Sequence, residues 1–130
     1  MKFIKTKKGG LVNNQLTPCP SSPNNVASEH HNNKNKIDAF TFDCDASKAW
    51  EEFKASVEQK GGEIKESNDI YLWATFSTQL LKFVDDFEAR LSCDDNRIHI
   101  RSISRMGYSD LNVNRNRVES IRTHFTNSVS

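Results

Sequence analysis

The sequence contains little cysteine, proline or glycine, and it has no long hydrophobic run. Its 130 residues include three cysteines, three prolines and five glycines. An odd number of cysteines without a C-x-x-C pair argues against a disulfide framework, and reduced thiols are typical of a cytoplasmic protein. No stretch approaches the roughly 18 apolar residues of a transmembrane helix. Because the N-terminus also lacks the apolar core of a secretory signal, we expect a cytoplasmic protein without a membrane span.

Motifs for metal binding and for common catalytic sites are absent as well. The four histidines occur without an H-x-x-H or H-E-x-x-H spacing, so the sequence predicts no metal site and no cofactor. It contains no G-x-S-x-G, P-loop or G-x-G-x-x-G motif. Asp85 and Asp86 are neighbours that face opposite ways in a strand, so they cannot act together on one substrate as acid and base.

Charge is divided unevenly along the chain. Residues 1–36 carry six lysines against the single acid Glu29, whereas residues 37–130 carry 12 basic and 16 acidic side chains. The first segment is poor in apolar side chains, so it is either a tail or a strap that lies on the body. A basic segment can contact an anionic surface, which leaves peripheral membrane contact open. The acidic body lacks a basic stripe, which argues against nucleic-acid binding.

Hydrophobic periodicity predicts two helices and four strands. Apolar residues at three- and four-residue spacing predict a helix over residues 46–60 with Asp45 as its N-cap. A second helix is predicted over residues 113–127, capped by Asn112 or Asn114. The predicted strands are 63–67, 70–77, 83–92 and 97–105. Short connections make successive strands antiparallel neighbours, so we predict an α+β two-layer sandwich: a four-stranded antiparallel meander with both helices packed on one face (α-β-β-β-β-α).

The alternation of the last two strands indicates how they pair. Their apolar side chains share one face if the hairpin places Phe87 opposite Ser102, Ala89 opposite Ile100 and Leu91 opposite Ile98. The other face then has Glu88 opposite Arg101 and Arg90 opposite His99. The facing of the first strand stays open, since neither Ile64 nor Lys65 settles it.

The outer face of the sheet, which points away from the helices, carries a row of polar and aromatic side chains. If the preceding hairpin turns through residues 78–82, Tyr71 lies across from Glu88 and Trp73 across from Asp86. The face then holds Tyr71, Trp73, Asp86, Glu88, His99 and Arg101. One interpretation is a solvated face with an ordinary cross-strand ion pair. The aromatic side chains favour the other, in which the N-terminal strap or a ligand covers the row.

A second polar group is predicted at the end of the sheet. Asp85 and Ser104 point to the core side by parity, and a carboxylate there needs a partner. Arg105, Arg115 or the amide end of the second helix are the candidates. The turn at residues 107–110 brings them close, so we expect Asp85 to be a structural clamp on this loop.

Several segments resemble a known family. F-V-D-D-F-E at residues 83–88 and R-S-I-S-R-M-G-Y-S-D-L-N-V-N-R-N-R at residues 101–117 are similar to the hallmark motifs of the family called domain of unknown function 1499. C-P-S-S-P-N-N-V-A-S at residues 19–28 resembles the family's lead motif, and D-I-Y-L-W-A-T-F at residues 69–76 its tyrosine-bearing strand. The family's second lead cysteine is Asn25 here, which removes the thiol with which Cys19 would pair.

The resemblance implies a site but no established activity. The implied residues are Asp85, Asp86, Glu88, Arg101, Ser102, Ser104, Arg105, Tyr108, Asp110, Asn114 and Arg115. It also implies that residues 16–28 are ordered. We therefore predict a flexible basic tail over residues 1–15, an extended strap over 16–42 that lies on the body, and a single α+β domain over 43–127. Relatives occur in bacteria and plastids, often with a leader or lipid anchor, which leaves an envelope location open.

We predict a non-enzymatic binding or accessory module whose polar cluster, which also includes Tyr71, holds a small anionic ligand or a protein partner. The planar fork of an arginine suits a carboxylate or phosphate, and Arg101, Arg105 and Arg115 are available. The alternative is an enzyme of unknown reaction in which Glu88, His99 and Tyr108 are the acid–base groups. That alternative requires a concave pocket at those residues.

Overall fold

The computed structural model describes residues 6–30, 32, 34–77, 83–106 and 112–130. In these ranges the chain forms a six-stranded antiparallel sheet, a separate two-stranded hairpin and two helices that pack on one face of the sheet. The elements in chain order are β1 (Leu11–Val12), β2 (Gln15–Leu16), β3 (Asn25–Ala27), β4 (Phe40–Thr41), α1 (Ala46–Gln59), β5 (Glu63–Ser67), β6 (Tyr71–Ser77), β7 (Val84–Ser92), β8 (Arg97–Ser104) and α2 (Val113–Val129).

The sheet is larger than the predicted four-stranded meander. Its strand order is β3-β8-β7-β6-β5, and β4 also pairs with β8. The α+β class, the antiparallel meander from β5 to β8 and the flanking helices are confirmed, but the number of strands is wrong. Both extra strands belong to the segment that precedes α1. They are only three and two residues long, and a pattern over so few residues does not indicate that they pair with a strand far along the chain.

The register of the β7–β8 hairpin is as predicted. Leu91 lies opposite Ile98, Ala89 opposite Ile100 and Phe87 opposite Ser102, with Glu88 opposite Arg101 and Arg90 opposite His99. All five apolar members of these pairs are buried. Strict alternation against one apolar layer excludes a slip of one residue in this hairpin, because such a slip would turn the core side chains outward.

The predicted register of the β6–β7 hairpin is wrong by two residues. Tyr71 lies opposite Arg90 and Trp73 opposite Glu88, and the last pair is Ser77 opposite Val84. Each side chain nevertheless faces the predicted side, since a shift of two residues preserves the face. The expected contacts are made diagonally: the Tyr71 hydroxyl donates to Glu88, and the Trp73 indole donates to Asp86.

A bulge explains why the facing of β5 could not be predicted. Ile64 pairs with Ala74 and packs against the core, but the register shifts between Ile64 and Glu66, so that Glu66 pairs with Trp73. The extra residue breaks the period of two on which a sequence pattern depends.

The helices cover the inner face of the sheet with aromatic side chains. Phe53 of α1 lies 5.2 Å from Phe40, 5.6 Å from Trp50 and 6.0 Å from Phe125 of α2, measured between ring centroids. Asp45 caps α1 as predicted, because its carboxylate accepts from the Lys48 amide. Neither helix among the described residues is long and apolar enough to cross a membrane.

Replacing Phe53 by alanine tests this core. Phe53 is fully buried between both helices and the sheet, so we expect Phe53→Ala to lower the free energy of unfolding by about 3–5 kcal/mol. Urea unfolding followed by circular dichroism measures the loss. The exposed Glu58 of the same helix is the control, and a Phe53→Ala chain as stable as Glu58→Ala would contradict this packing.

Candidate functional site

Most of the predicted site residues, with Arg117 in addition, form two clusters on opposite faces of the sheet. We call the group on the outer face the outer cluster; it comprises Tyr71, Trp73, Asp86, Glu88, Arg101 and Arg105. The group on the helix side is the inner cluster; it comprises Asp85, Ser102, Ser104, Asn114 and Arg117. The division follows from the alternation of β7 and β8, in which neighbouring residues face opposite sides.

Glu88 is the centre of the outer cluster and is fully buried. Its carboxylate accepts from the Tyr71 hydroxyl at 2.5 Å and from Arg101 Nη1 at 3.0 Å. It also accepts from the backbone amides of Gly10 at 2.8 Å and Gly9 at 3.3 Å. Burial and the bond to Glu88 raise the pKa of Tyr71 far above its ordinary range, so the phenol keeps its proton.

Asp86 is the second fully buried carboxylate of the outer cluster. It accepts a paired contact from Arg105, whose Nε and Nη2 lie 2.8 and 3.1 Å away, and one from Trp73 Nε1 at 2.9 Å. The Lys7 amide and the Thr6 hydroxyl complete its partners. Burial by itself raises the pKa of Asp86, but the bonds from Arg105, Lys7 and Trp73 outweigh it and hold the pKa below its usual value.

Residues 6–10, here called the docked segment, cover the outer cluster. Three of their amides donate to the two buried carboxylates, and the Lys7 carbonyl accepts from Arg101 Nη1 at 2.6 Å. The Lys8 ammonium pairs with Glu66 at 2.6 Å and lies 4.9 Å from the centroid of the Trp73 ring. The cover expected from the aromatic side chains is therefore present, and it comes from residues that the sequence analysis assigned to the tail.

A third carboxylate, Glu29, joins the strap to the edge of the outer face. Arg90 donates to it through Nε and Nη2 at 2.7 and 2.8 Å, and the Leu16 amide donates at 2.8 Å. Burial raises the pKa of Glu29, but the bonds from Arg90 and Leu16 outweigh it and lower the pKa overall. His99 lies beside this pair and contacts Ser28, and burial lowers its pKa.

Cys19 and Asn25 belong to residues 19–28 of the strap, the part that resembles the family's lead motif. The Cys19 thiol lies beside Arg101; burial raises its pKa, and the positive charge of Arg101 opposes the shift. Asn25 donates to the carbonyls of Pro20 and Ser22 and accepts from Asn35. Asn25, where the resemblance implies a cysteine, thus closes the loop through hydrogen bonds.

The inner cluster attaches α2 to the sheet. Asn114 accepts from the Ser102 hydroxyl and from Arg117 at 3.0 Å, and it donates to Ser104 and to the Asn24 carbonyl. Asp85 pairs with Arg117 at 2.7 Å. Of the partners expected for Asp85, the two arginines are wrong: Arg105 lies on the other face with Asp86, and Arg115 donates to the Lys36 carbonyl.

Other predicted groups are not brought together. Glu88 and His99 contact different partners, and Tyr108 and Asp110 lie outside the described residues, as does the loop that Asp85 was expected to clamp. Asn114 does not cap α2; Asn112 occupies the N-cap position with a φ of 68°. Among the residues that the structure describes, no group of three or more histidine, cysteine or acidic side chains is placed to hold a metal ion.

Sequence analysis missed the partners that come from the chain before residue 30 and from α2. These are Thr6, Lys7, Gly9, Gly10, Glu29 and Arg117. Five glycines are present in the whole chain, and two of them are adjacent at residues 9 and 10 within a basic segment. That pair was the available signal, since glycine permits close approach of one backbone to another group.

Asp85→Asn tests the inner cluster. The buried Asp85 is the carboxylate partner of the largely covered Arg117, so removing it leaves that charge without a counterion, and we expect a loss of about 3–5 kcal/mol in the free energy of unfolding. Chemical denaturation measures the loss, and Arg117→Met should restore part of it in the double variant. An unchanged melting temperature for Asp85→Asn would show that the pair does not hold α2.

The lowered pKa of His99 makes the stability of the fold depend on pH, and the direction of the shift determines the sign of that dependence. Because its folded pKa is lowered, the unfolded chain binds the proton first, and stability falls as the pH drops below about 6.5. Glu29 and Asp86, also lowered, add a further loss below about pH 4. We expect His99→Gln to reduce the loss between pH 7.5 and 5.5, measured by urea unfolding. A variant with the same loss in that interval contradicts this role.

The region that contains both clusters matches a known family. A family model described as a protein of unknown function (DUF1499) matches residues 15–125, which include every residue of the outer and inner clusters. No curated protein matches the chain. Because the family match extends over far more than half of the sequence, the chain belongs to the DUF1499 family of proteins of unknown function.

Proposed function

We propose that this protein is a non-enzymatic binding module that holds an extended polypeptide segment on the outer face of its sheet. In this chain the segment is its own residues 6–10. The observation that carries the proposal is the set of three backbone amides, from Lys7, Gly9 and Gly10, that donate to the buried carboxylates of Asp86 and Glu88.

The contacts are hydrogen bonds to main-chain atoms of the docked segment. Amide donors meet carboxylates, and Arg101 donates in return to the Lys7 carbonyl, so both polar groups of the segment's main chain are used. Hydrogen bonds to ionised acceptors contribute about 1.5–3 kcal/mol each, which is more than neutral ones. A site of this kind holds an extended segment through its main chain, with side chains on the face of the sheet as its partners.

Charge balance favours a polypeptide over a small anion as the occupant. Asp86 pairs with Arg105 and Glu88 pairs with Arg101, so the outer cluster carries no excess positive charge. Both carboxylates still accept further donors, and a fully ionised carboxylate or phosphate group offers none. An extended backbone offers donors at regular spacing, which is the chemistry that these carboxylates need.

Hydrogen exchange of the docked segment in the full chain tests the proposal. Glu88→Gln removes the charged acceptor, so we expect the amides of Gly9 and Gly10 to exchange at least about tenfold faster relative to the core amides of β7. Residue-resolved exchange by NMR measures the change.

Asp85→Asn is the matched control. It removes a buried carboxylate from the same strand but on the opposite face, so it should leave the relative exchange of Gly9 and Gly10 unchanged. Unaltered protection of both glycines in Glu88→Gln would refute the proposed function, and so would equal acceleration in Asp85→Asn.

A further inference from the structure

We propose that the outer cluster selects a segment with the pattern cation-Gly-Gly and accepts such a segment from a second polypeptide when residues 6–10 of the chain are withdrawn. This inference rests on the proposed function and adds the chemistry of the segment. The residues that select this pattern are Thr17, which faces the first glycine, and Glu66 and Trp73, which contact the cation.

The first glycine is required because Thr17 leaves no room for a side chain. A Cβ placed on Gly9 would overlap Thr17 Oγ1 and lie 2.8 Å from Thr17 Cβ. Thr17 cannot easily move, since the preceding Leu16 amide is bonded to Glu29 and the following Pro18 restricts the backbone. The packing is close enough that Thr17 Oγ1 is buried without a hydrogen-bond partner among the described residues.

The second glycine is favoured by conformation rather than by space. Gly10 has a φ of +71°, and a Cβ there would meet no atom within 4 Å. This left-handed conformation costs other residues roughly 1–2 kcal/mol. It points the Gly10 amide at Glu88 Oε1, 2.8 Å away, directly before the chain enters β1.

The residue before the glycines is selected for positive charge. Lys8 Nζ lies 2.6 Å from a Glu66 carboxylate oxygen and over the ring of Trp73. Glu66 and Trp73 are opposite each other on β5 and β6, so one cross-strand pair supplies both an anion and an aromatic face. A neutral or acidic residue at this position would lose both contacts.

The rest of the docked segment is held mainly through its main chain, so the pattern is short. The described contacts of Lys7 use its amide and carbonyl, which any residue except proline supplies. The outer cluster therefore recognises the pattern and not a longer sequence, which allows another chain with the same pattern to bind.

The full-length Gly9→Ala variant tests this directly, because its own segment should no longer fit. The probe is an amidated synthetic peptide with the sequence of residues 1–10, and the matched control peptide carries Gly9→Ala. We expect the peptide to shift the NMR signal of the Trp73 indole N–H, which donates to Asp86, in the variant and not in the wild-type chain. The control peptide should bind at least about tenfold more weakly.

A compensating change at Thr17 keeps the test decisive even if Gly9→Ala perturbs folding. Thr17→Gly removes the three atoms nearest to the new methyl group, so the double variant should regain the protected amides of residues 7 and 10. Lys8→Glu in an otherwise natural chain should speed exchange at the same amides. Absence of rescue by Thr17→Gly, or equal binding of both peptides, overturns the inference.

The two proposals fail in distinguishable ways. If Glu88→Gln releases the segment while Gly9→Ala leaves it protected, the outer cluster holds a segment without selecting glycine, and only this inference is wrong. If neither variant alters the exchange of Gly9 or Gly10 amides, both proposals are wrong.

Discussion

The fold depends on meeting the charge of two carboxylates that are buried on the side of the sheet without helices. Asp86 and Glu88 have no exposed surface, although a sheet face with no helix over it would ordinarily be solvated. An ionised carboxylate removed from water needs several donors. Arg101 and Arg105 supply some of them, and the remaining ones come from the docked segment and from Tyr71 and Trp73. The N-terminal region lies where it does because these two side chains require it.

The two faces of β7 and β8 therefore have different tasks. On the inner face, Asn114 and Arg117 connect α2 to Asp85 and to the serines of β8. On the outer face, hydrogen bonds to charged side chains hold the docked segment, which itself has little apolar surface. The strap bonds to Ser104 and Asn114 of the inner cluster through Asn24, and to Arg90 at the edge of the outer face through Glu29.

The sequence predicted those features that depend on local periodicity. The helix over residues 46–59 ends within one residue of its expected limit, and the β7–β8 register is correct because core alternation excludes any odd shift. The β6–β7 register was wrong by two residues, since alternation cannot distinguish shifts of two. The strands β3 and β4 and the partner of Asp85 depend on contacts between distant parts of the chain, which no local pattern contains. The division into tail, strap and domain stays a prediction.

The sequence by itself determined the order of elements from α1 to α2 and the face on which each central side chain lies, because both follow from periods of 3.6 and two residues. Only the tertiary structure decided which groups from distant parts of the chain meet. Arg117 rather than Arg105 reaches Asp85, and the Gly9–Gly10 backbone reaches a glutamate 78 residues away along the chain. The physical reason is that a buried charge takes whichever donor the packed chain brings within about 3 Å, and that choice is made by the whole fold.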